Sequence, residues 1–360
     1  MNILILPHNM ASMPSMTAEA LNKIEGITAK CLILDRHKYQ STYPGTVYIP
    51  LFYTKRKPLQ WLWHKLTYKR RIYKLLKWAD VLHYHWGAVF QNNEDIKWVA
   101  ESGKPLFVEW VGSEVRIPDI CKKINPYYAR IFDHGYEYNK MESREKSLKL
   151  QETFCQAGAI PLIIPEMNIY IQKELFKSTY PSFLRLEVKK FQPVFPAVNN
   201  SWPIIVHSPT AKICKGTDLI IEVLNELKSF YNFEFVLLHD MTRDQVLEVM
   251  SKADIFLDQI NLGSHGAATM EAMAMGKPAM CYIMKEVFEG GLPAECPVVN
   301  TNPDNLKEQL IRLLSDAQLR HDIGKQSRAF AEDYFDIDKI ALYLKDTYQT
   351  AYMAKKKENA

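Results

Sequence analysis

The chain has 360 residues, more than one hydrophobic core usually supports, and its formal net charge is only +4, so two domains and no nucleic-acid partner are expected. Its six cysteines are scattered without C-x-x-C spacing, which excludes a zinc ribbon or a disulfide framework and favours reduced thiols in a cytoplasm. No apolar run approaches the roughly 18 residues of a membrane-spanning helix.

Short apolar runs alternate with amphipathic segments along the whole chain. In the first half they predict strands at 2–6, 27–34, 79–85, 105–110 and 159–164. Helices are predicted between them at 16–25, 58–78, 91–102 and 139–157. In the second half, strands are predicted at 204–208, 233–238, 254–258, 278–282 and 297–299, followed by a last helix at 337–353. This alternation predicts an α/β fold with parallel sheets covered on both faces.

The segment 53–78 carries nine Lys or Arg residues and no Asp or Glu, interleaved with aromatic and aliphatic side chains. A basic amphipathic helix with Trp and Tyr on its apolar side suits an anionic membrane surface. Two other interpretations stay open at this point. The apolar stripe could be the core face of a domain helix with solvated lysines, or the patch could bind nucleic acid, which the small net charge disfavours.

The run PIIVHS at 203–208 predicts a buried parallel strand, and the loop after it carries Lys212 and Lys215. Gly216 then opens an amphipathic helix. Ligands of open parallel sheets collect at the carboxyl ends of the strands, where a lysine can neutralise a phosphate. The two lysines are therefore candidate phosphate ligands, with two solvated loop lysines as the alternative.

The stretch 263–278, GSHGAATMEAMAMGKP, predicts a helix that opens after glycine and ends at Gly276. Free N–H groups at such an N-terminus favour an anion. The amides concerned are those of Gly266, Ala267 and Ala268. Glu271 lies about one turn into the helix, where it could accept hydrogen bonds from a ribose. The alternative is an ordinary helix that begins with small residues and carries one glutamate by chance.

The order strand, KG loop and helix, followed by ADIFLDQ and EAMAMGKP, resembles nucleotide-sugar glycosyltransferases of the GT-B fold. The motifs are similar to those of the large retaining group whose signature ends in E-A-M-A-x-G-x-P. The resemblance is specific over 204–335 and looser over the first half of the chain. The resemblance implies two Rossmann-like parallel-sheet domains facing a cleft. It also implies that Lys215 and Lys212 hold the donor diphosphate and that Glu271 binds the donor ribose.

Two positions depart from that family's pattern. Gly263 stands where a second acid is often found eight residues before the EAMA glutamate, so its contact to the transferred sugar is missing or supplied elsewhere. His265 and the amides of 266–268 are the candidates to supply it. Val111 stands where a histidine is often found in the first half, within 109–114.

Further site residues are expected from the architecture that the resemblance implies. The first β-to-α loop should face the acceptor side of the cleft with His8, Asn9 and Ser12. The loop after the strand FEFVLL should contact the nucleobase with His239 and Met241. The candidate catalytic residues are His85, Glu114 and His265. For His85 a purely structural role at the strand end is equally open.

No metal site is predicted. His83 and His85 lack a third ligand at suitable spacing, and no D-x-D pair follows a strand. Asp254 and Asp258 flank the strand IFL and are expected to cap and end it. Lysines and helix amides can stabilise a leaving diphosphate without a divalent cation.

The sequence thus predicts a metal-independent glycosyltransferase without a cofactor, which moves a sugar from a nucleoside-diphosphate sugar to a hydroxyl acceptor. The expected acceptor is a glycan or lipid-linked glycan in cell-surface polysaccharide synthesis. Retention at the anomeric carbon is favoured by the resemblance alone, because His85 or Glu114 could serve as a general base for inversion. The alternatives are a sugar-nucleotide epimerase of the same fold and a non-catalytic nucleotide-binding partner. A nicotinamide dehydrogenase is disfavoured, because no G-x-G-x-x-G follows the first strand.

The domain boundaries are expected in the proline-rich middle of the chain. An acceptor-side domain at 1–190 and a linker at 191–202 precede a donor domain at 203–336. The last helix, within 337–360, is expected to pack back on the first domain. The enzyme is expected in the cytoplasm, peripherally on the inner face of the cell membrane.

Overall fold

The structure, a computed structural model, describes residues 1–36, 41, 43–50, 58–239 and 241–358, with the backbone alone at 58–61 and 65. Its first domain is built on a seven-stranded parallel sheet with the strand order β3-β2-β1-β4-β5-β6-β7. The strands are β1 (Asn2–Pro7), β2 (Thr28–Ile33), β3 (Thr46–Tyr48), β4 (Val81–His85), β5 (Leu106–Trp110), β6 (Ile160–Ile163) and β7 (Tyr180–Pro181). The helices are α1 (Met13–Asn22), α2 (Pro58–Trp78), α3 (Glu94–Glu101), α4 (Pro118–Ile124), α5 (Pro126–Phe132) and α6 (Arg144–Gln156).

The second domain is built on a five-stranded parallel sheet with the order β12-β11-β10-β8-β9. Its strands are β8 (Ile204–His207), β9 (Glu234–Leu237), β10 (Ile255–Leu257), β11 (Ala279–Cys281) and β12 (Val299–Asn300). Its helices are α7 (Lys212–Lys215), α8 (Thr217–Leu227), α9 (Arg243–Ser251), α10 (Ala267–Ala274), α11 (Lys285–Glu289), α12 (Leu306–Ser315) and α13 (Ala317–Phe330), with α14 (Ile337–Glu358) after a π-helical turn. The predicted fold class, two parallel-sheet domains with helices, is confirmed.

The central strands are buried on both faces, as their apolar runs require. All five residues of β4 and of β5 are buried. The register pairs Pro7 with His85 and His85 with Glu109, so β1, β4 and β5 end at one edge of the sheet. In the second domain His207 pairs with Leu257 and with Leu237. The loops that follow these strands therefore meet across the space between the two sheets.

The two domains touch across the cleft between these sheet edges. Asn125 donates a hydrogen bond to the carbonyl oxygen of Asn261 over 2.9 Å. Tyr127 donates from its hydroxyl to Asp304 Oδ2 over 2.8 Å. These contacts hold the carboxyl-end loops of both sheets against one another.

Helix α14 lies on the first domain, although it follows the second sheet in the chain. Its Tyr348 hydroxyl lies 2.7 Å from His83 Nδ1, and its ring packs edge-on against Phe107 with the ring centroids 5.0 Å apart. Near its start, Asp338 pairs with Lys23 of the segment after α1 at 3.4 Å. The last helix thus ties the end of the chain to the first sheet.

The short elements β3, β7, α4 and α5 were not predicted from the sequence, and the four-residue helix α7 lies where a loop was expected. Strands of three and two residues and helices of seven residues are too short to show a hydrophobic period. Within the described residues, no helix combines the length and the apolar character that crossing a bilayer requires.

Candidate active site

A cavity of about 510 Å³ lies between the two domains and is called the main cavity below. The loops after β8, β9 and β10 and the start of α10 form its second-domain wall. Charged or polar lining residues include Lys215, His239, Arg243, Asp258, Gln259 and Glu271. The volume is in the range of roughly 300–1,000 Å³ that is usual for small-molecule sites.

Lys215 is buried in the wall of the main cavity. Its Nζ lies 2.6 Å from Asp258 Oδ1 and donates to the carbonyl oxygen of Ser208 over 2.9 Å. Burial raises the pKa of Asp258, but the charge and hydrogen bond of Lys215 outweigh it, and the net pKa lies below the ordinary value. Asp258 therefore does more than end its strand, since it fixes Lys215 in the cavity.

The N-terminus of α10 presents free backbone donors to the same cavity. Its N-cap is Gly266, and none of the described side chains caps this helix. Gly266, Ala267 and Ala268 all line the main cavity, as Lys215 does. A lysine ammonium and the positive end of a helix dipole therefore face one space, which is suited to an anion.

Glu271 faces the main cavity one turn into α10 and is paired with Arg243 at the start of α9. Arg243 Nη2 lies 2.5 Å from Glu271 Oε1. The Glu271 side chain is 16% exposed. Burial raises the pKa of this carboxyl, and Arg243 opposes that shift. The pair offers both a carboxylate acceptor and a guanidinium donor to a ligand.

The other predicted donor-side residues lie in different places. His239 and Met241 line the main cavity, on the side formed by the loop after β9. Lys212, at the start of α7, is exposed and is not among the residues lining the main cavity. The structure therefore brings Lys215 to the cavity without Lys212.

The first β-to-α loop contributes Ser12 to the main cavity, together with Ala11. Both residues have positive φ angles, 49° for Ala11 and 63° for Ser12, a conformation that costs about 1–2 kcal/mol for a non-glycine residue. Asn9 is turned inward, where its Oδ1 accepts from the Ser15 amide over 3.0 Å. His8 lies beside Asp35, with 3.7 Å between Nδ1 and Oδ1, outside the main cavity. Only Ser12 of these three predicted residues lines the main cavity.

A second cavity of about 280 Å³, called the cross-domain cavity below, adjoins the main cavity. The residues lining both are Thr210, Lys215, Gln259 and Gly266. The first domain adds Val111, Arg116 and Glu166, and the second domain adds His265. His265 Nε2 lies 3.1 Å from Glu166 Oε1, with both side chains buried.

Glu114 is folded back on its own loop. Its Oε1 accepts from the amides of Val111 over 2.6 Å and Gly112 over 3.2 Å. Burial raises the pKa of this carboxyl to about 7, against those hydrogen bonds. Glu114 does not line the cross-domain cavity, whereas Val111 and Gly112 do. The geometry makes it a residue that shapes the cavity wall.

His85 belongs to a buried network at the ends of β4 and β5. Its Nε2 lies 3.2 Å from Glu109 Oε2, and the His83 Nε2 lies 3.7 Å from the same oxygen. Arg185 donates to both carboxylate oxygens, over 2.9 Å to Oε1 and 2.7 Å to Oε2. Burial lowers the pKa of His85 to about 4, which keeps the ring neutral at pH 7. His85 is fully buried and does not line either cavity.

His83, His85 and Glu109 also lie close enough together to hold a metal ion. The third ligand is Glu109 on the neighbouring strand β5. Spacing along the chain cannot show such a ligand, because only the sheet brings the two strands together. However, the Arg185 guanidinium already covers both oxygens of Glu109. A divalent ion here would lie next to a buried cation, so the residues fit an Arg-carboxylate pair better than a metal.

Part of the second domain matches a known protein family. Residues 234–330 match the model of the family described as Glycosyl transferases group 1. The prediction of a glycosyltransferase enzyme is confirmed. The matched segment contains Arg243, His265 and Glu271, whereas Lys215 lies before it. No curated protein matches the sequence significantly.

Solved structures with the same fold cover nearly the whole chain. Sucrose-phosphate synthase from Thermosynechococcus elongatus is 14% identical with a TM-score of 0.63, over 98% of this chain and 99% of that one. HepE from Anabaena in complex with UDP is 13% identical with a TM-score of 0.53, over 97% and 100%. A putative UDP-N-acetylglucosamine 2-epimerase from Listeria monocytogenes is 14% identical with a TM-score of 0.53, over 98% and 96%. The GT-B fold is therefore confirmed.

Arg243 and Glu166 are charged residues of these cavities that were not predicted from the sequence. Arg243 follows the carboxyl end of β9 and Glu166 that of β6 by a few residues, and this position could have marked them as site candidates. Their partners, Glu271 and His265, lie 28 and 99 residues further along the chain, so only the fold brings the pairs together.

Proposed function

We propose that the main cavity binds a nucleoside-diphosphate sugar and that the enzyme transfers the sugar to a hydroxyl acceptor. One observation carries the proposal. Lys215, the uncapped start of α10 and the Arg243–Glu271 pair line a single cavity of about 510 Å³. Hydrogen-bond donors that suit an anion thus lie beside a carboxylate that can bind a polyol. A nucleoside diphosphate needs both, the donors for its phosphates and the carboxylate for its ribose.

The proposed reaction needs charge stabilisation at the diphosphate. The acceptor oxygen bonds to the anomeric carbon while the bond from that carbon to the diphosphate oxygen breaks. Lys215 and the amides of 266–268 would stabilise the negative charge that develops on the leaving group. These groups can act without a divalent cation, so we propose metal-independent transfer.

The stereochemical proposal is retention. It is supported by the resemblance of EAMAMGKP to the signature of the retaining group. The two bases considered for inversion, His85 and Glu114, lie outside both cavities. In a retaining transfer the acceptor proton can pass to the leaving diphosphate, so neither base is required.

For the nucleoside part, Glu271 would accept hydrogen bonds from the ribose, and His239 and Met241 would contact the base. The structure of HepE contains UDP, which makes UDP the first diphosphate to test. Ser12 would lie on the acceptor side of the same cavity.

For the acceptor, we propose a glycan or a lipid-linked glycan presented at the cytoplasmic face of an anionic membrane. Helix α2 supports this proposal, although residues 53–57 of the basic segment lie outside the described residues. Near its start, Leu62, Trp63 and Leu66 are 48%, 58% and 74% exposed. Towards its end, Ile72 and Leu76 are buried in the core. The helix thus packs by its second half and leaves an apolar surface at its first half, beside exposed basic residues.

A ligand panel tests the proposed function. A ligand that binds only the native state raises the melting temperature. We expect UDP or GDP to raise it and NAD to leave it unchanged, in a screen that also includes CMP. Stabilisation by NAD alone, or by none of the four, would contradict a nucleoside-diphosphate site. Binding of a diphosphate without any transfer would favour the non-catalytic alternative.

A further inference from the structure

The main and cross-domain cavities adjoin each other at their shared lining residues. They share Lys215 and Gly266, the groups proposed to hold the diphosphate. At the opposite end of the main cavity, Glu271 borders another cavity that reaches Tyr43. A donor with its ribose on Glu271 and its diphosphate on Lys215 therefore extends its sugar into the cross-domain cavity.

Among the buried ionisable side chains that line that cavity, Glu166 and His265 form a pair that comes from different domains. Glu166 lies in the 3₁₀ turn Pro165–Tyr170 after β6, and His265 lies in the loop before α10. The side chains are 3% and 1% exposed, and His265 Nε2 lies 3.1 Å from Glu166 Oε1. The cleft thus carries a carboxylate–imidazole pair at the place where the sugar would lie.

This pair retains unused hydrogen-bonding capacity. Glu166 Oε2 and His265 Nδ1 are buried and have no hydrogen-bond partner among the described residues. Buried polar atoms are rarely left unpaired, so unpaired atoms in the wall of a cavity mark groups to which a ligand or water can bond. A sugar ring supplies hydroxyl groups that can donate to the carboxylate and accept from the imidazole.

The loop that carries His265 begins at Gly263, where there is little room for a side chain. Gly263 has a φ of 84°, and a Cβ atom added there would collide with the Met284 side chain. A side chain at 263 would be strained at this φ and would require Met284 to move. His265, two residues later, and Glu166 of the other domain line the cavity, as Arg116 and Lys215 also do.

We propose that Glu166 and His265 form the binding subsite for the transferred sugar, an inference that rests on the proposed function. The cavity volume, about 280 Å³, suits one sugar ring rather than a longer glycan. The pair would bind the sugar through its hydroxyl groups, which match the unused carboxylate and imidazole atoms. The subsite is complete only while the two domains are closed.

The experiment compares the wild-type protein with Glu166→Gln and His265→Gln by calorimetry. The probes are UDP with UDP-glucose and GDP with GDP-mannose. We expect each variant to bind the diphosphate within about two-fold of wild type and to bind the matching nucleotide sugar about ten-fold more weakly. Melting temperatures of all variants show whether they are folded.

Glu308→Gln is the matched control, because Glu308 is an exposed glutamate on α12 that lines neither cavity. It should leave nucleotide-sugar affinity unchanged. If Glu308→Gln weakens it as much as Glu166→Gln does, or if both Gln variants bind the sugar like wild type, the subsite is wrong although the diphosphate site stands. If wild-type protein binds neither diphosphate, the proposed function itself fails.

Discussion

Arg243 and Glu271 form an ion pair inside the main cavity, with Nη2 of the arginine 2.5 Å from Oε1 of the glutamate. The pair joins the start of α9 to α10, and both residues border the space proposed for the nucleotide. A ribose that binds Glu271 must therefore share the carboxylate with a guanidinium. This relationship makes Arg243 a part of the proposed donor site.

Replacing Arg243 by alanine should weaken binding of the nucleoside diphosphate. The arginine can donate charge-assisted hydrogen bonds, each worth about 1.5–3 kcal/mol, so a loss of about ten-fold to a hundred-fold in affinity is expected. Calorimetry with UDP or GDP measures the change. Arg312→Ala is the control, since Arg312 is exposed on α12, away from the cavity. Equal effects of the two substitutions would contradict a role of Arg243 in binding.

Glu271→Ala should weaken diphosphate binding and sugar transfer while the protein stays folded. The carboxyl is held in the cavity by Arg243 and is available to the ribose hydroxyls. A glutamate that served only helix packing would give the opposite pattern, a lower melting temperature with ligand affinity intact. Calorimetry and thermal unfolding of the same sample separate these outcomes.

The affinity should also depend on pH through Glu271. Burial raises the pKa of this carboxyl above its ordinary value, so it becomes protonated at a higher pH than an exposed glutamate. The protonated form is a poorer acceptor for ribose hydroxyls, and affinity should fall as the pH falls through that raised pKa. Glu271→Gln should remove this part of the pH dependence. An unchanged pH profile in the variant would contradict the assignment.

Lys215→Ala should weaken binding of a nucleoside diphosphate much more than binding of the nucleoside. The substitution also leaves Asp258 buried without its cation, a loss of about 3–5 kcal/mol in stability. The double variant Lys215→Ala/Asp258→Asn should therefore recover melting temperature without recovering diphosphate affinity. Equal losses of affinity for the diphosphate and the nucleoside, measured by calorimetry, would contradict the role of Lys215 in binding phosphate.

The sequence predicts long elements of this fold well and its side-chain pairs poorly. Residues 2–6 and 58–78 show clear apolar runs or helical periodicity, and β1 and α2 lie there. The position of Lys215 after β8 follows from the rule that ligands collect at strand ends. Lys212, three residues earlier at the start of α7, is exposed and does not line the main cavity, which the spacing of the two lysines alone could not show.

Contacts between distant segments account for the residues that were missed or misassigned. His85 was a candidate for catalysis, yet Glu109 of the neighbouring strand β5 and Arg185 after β7 enclose it. Glu114 was another candidate, yet it bonds the amides of its own loop. Neither arrangement leaves a periodic signal in the sequence, because both depend on tertiary packing.

Glu109→Gln should destabilise the protein at neutral pH. Burial alone would raise the pKa of Glu109, but Arg185 and the neighbouring histidines outweigh it and hold the pKa well below its usual range. A carboxyl with a lowered folded-state pKa contributes its stability above the unfolded pKa of about 4.3 and loses it as the pH falls. Breaking the buried pair should cost about 3–5 kcal/mol.

Urea unfolding at pH 7 and pH 3.5 measures this difference between Glu109→Gln and wild type. The gap in unfolding free energy should be large at pH 7 and smaller at pH 3.5. A gap that is the same at both pH values would show that Glu109 does not contribute through its charge.

Helix α2 should hold the enzyme at an anionic membrane. Each cation near such a surface contributes about 1 kcal/mol, so several together suffice for reversible binding. Replacing Lys69, Arg70, Arg71 and Lys74 by glutamine should release the protein from anionic liposomes in a sedimentation assay, as should high salt. If wild-type protein fails to sediment with anionic liposomes at low salt, the membrane proposal is wrong and the acceptor is a soluble molecule.

The most direct test of the donor site is a crystal structure of the enzyme with the diphosphate that the ligand panel selects. The account predicts the diphosphate against Lys215 and the amides of 266–268, and the ribose hydroxyls on the carboxylate of Glu271. A nucleotide bound elsewhere, with these groups left in the pairs that Lys215 forms with Asp258 and Arg243 forms with Glu271, would contradict it.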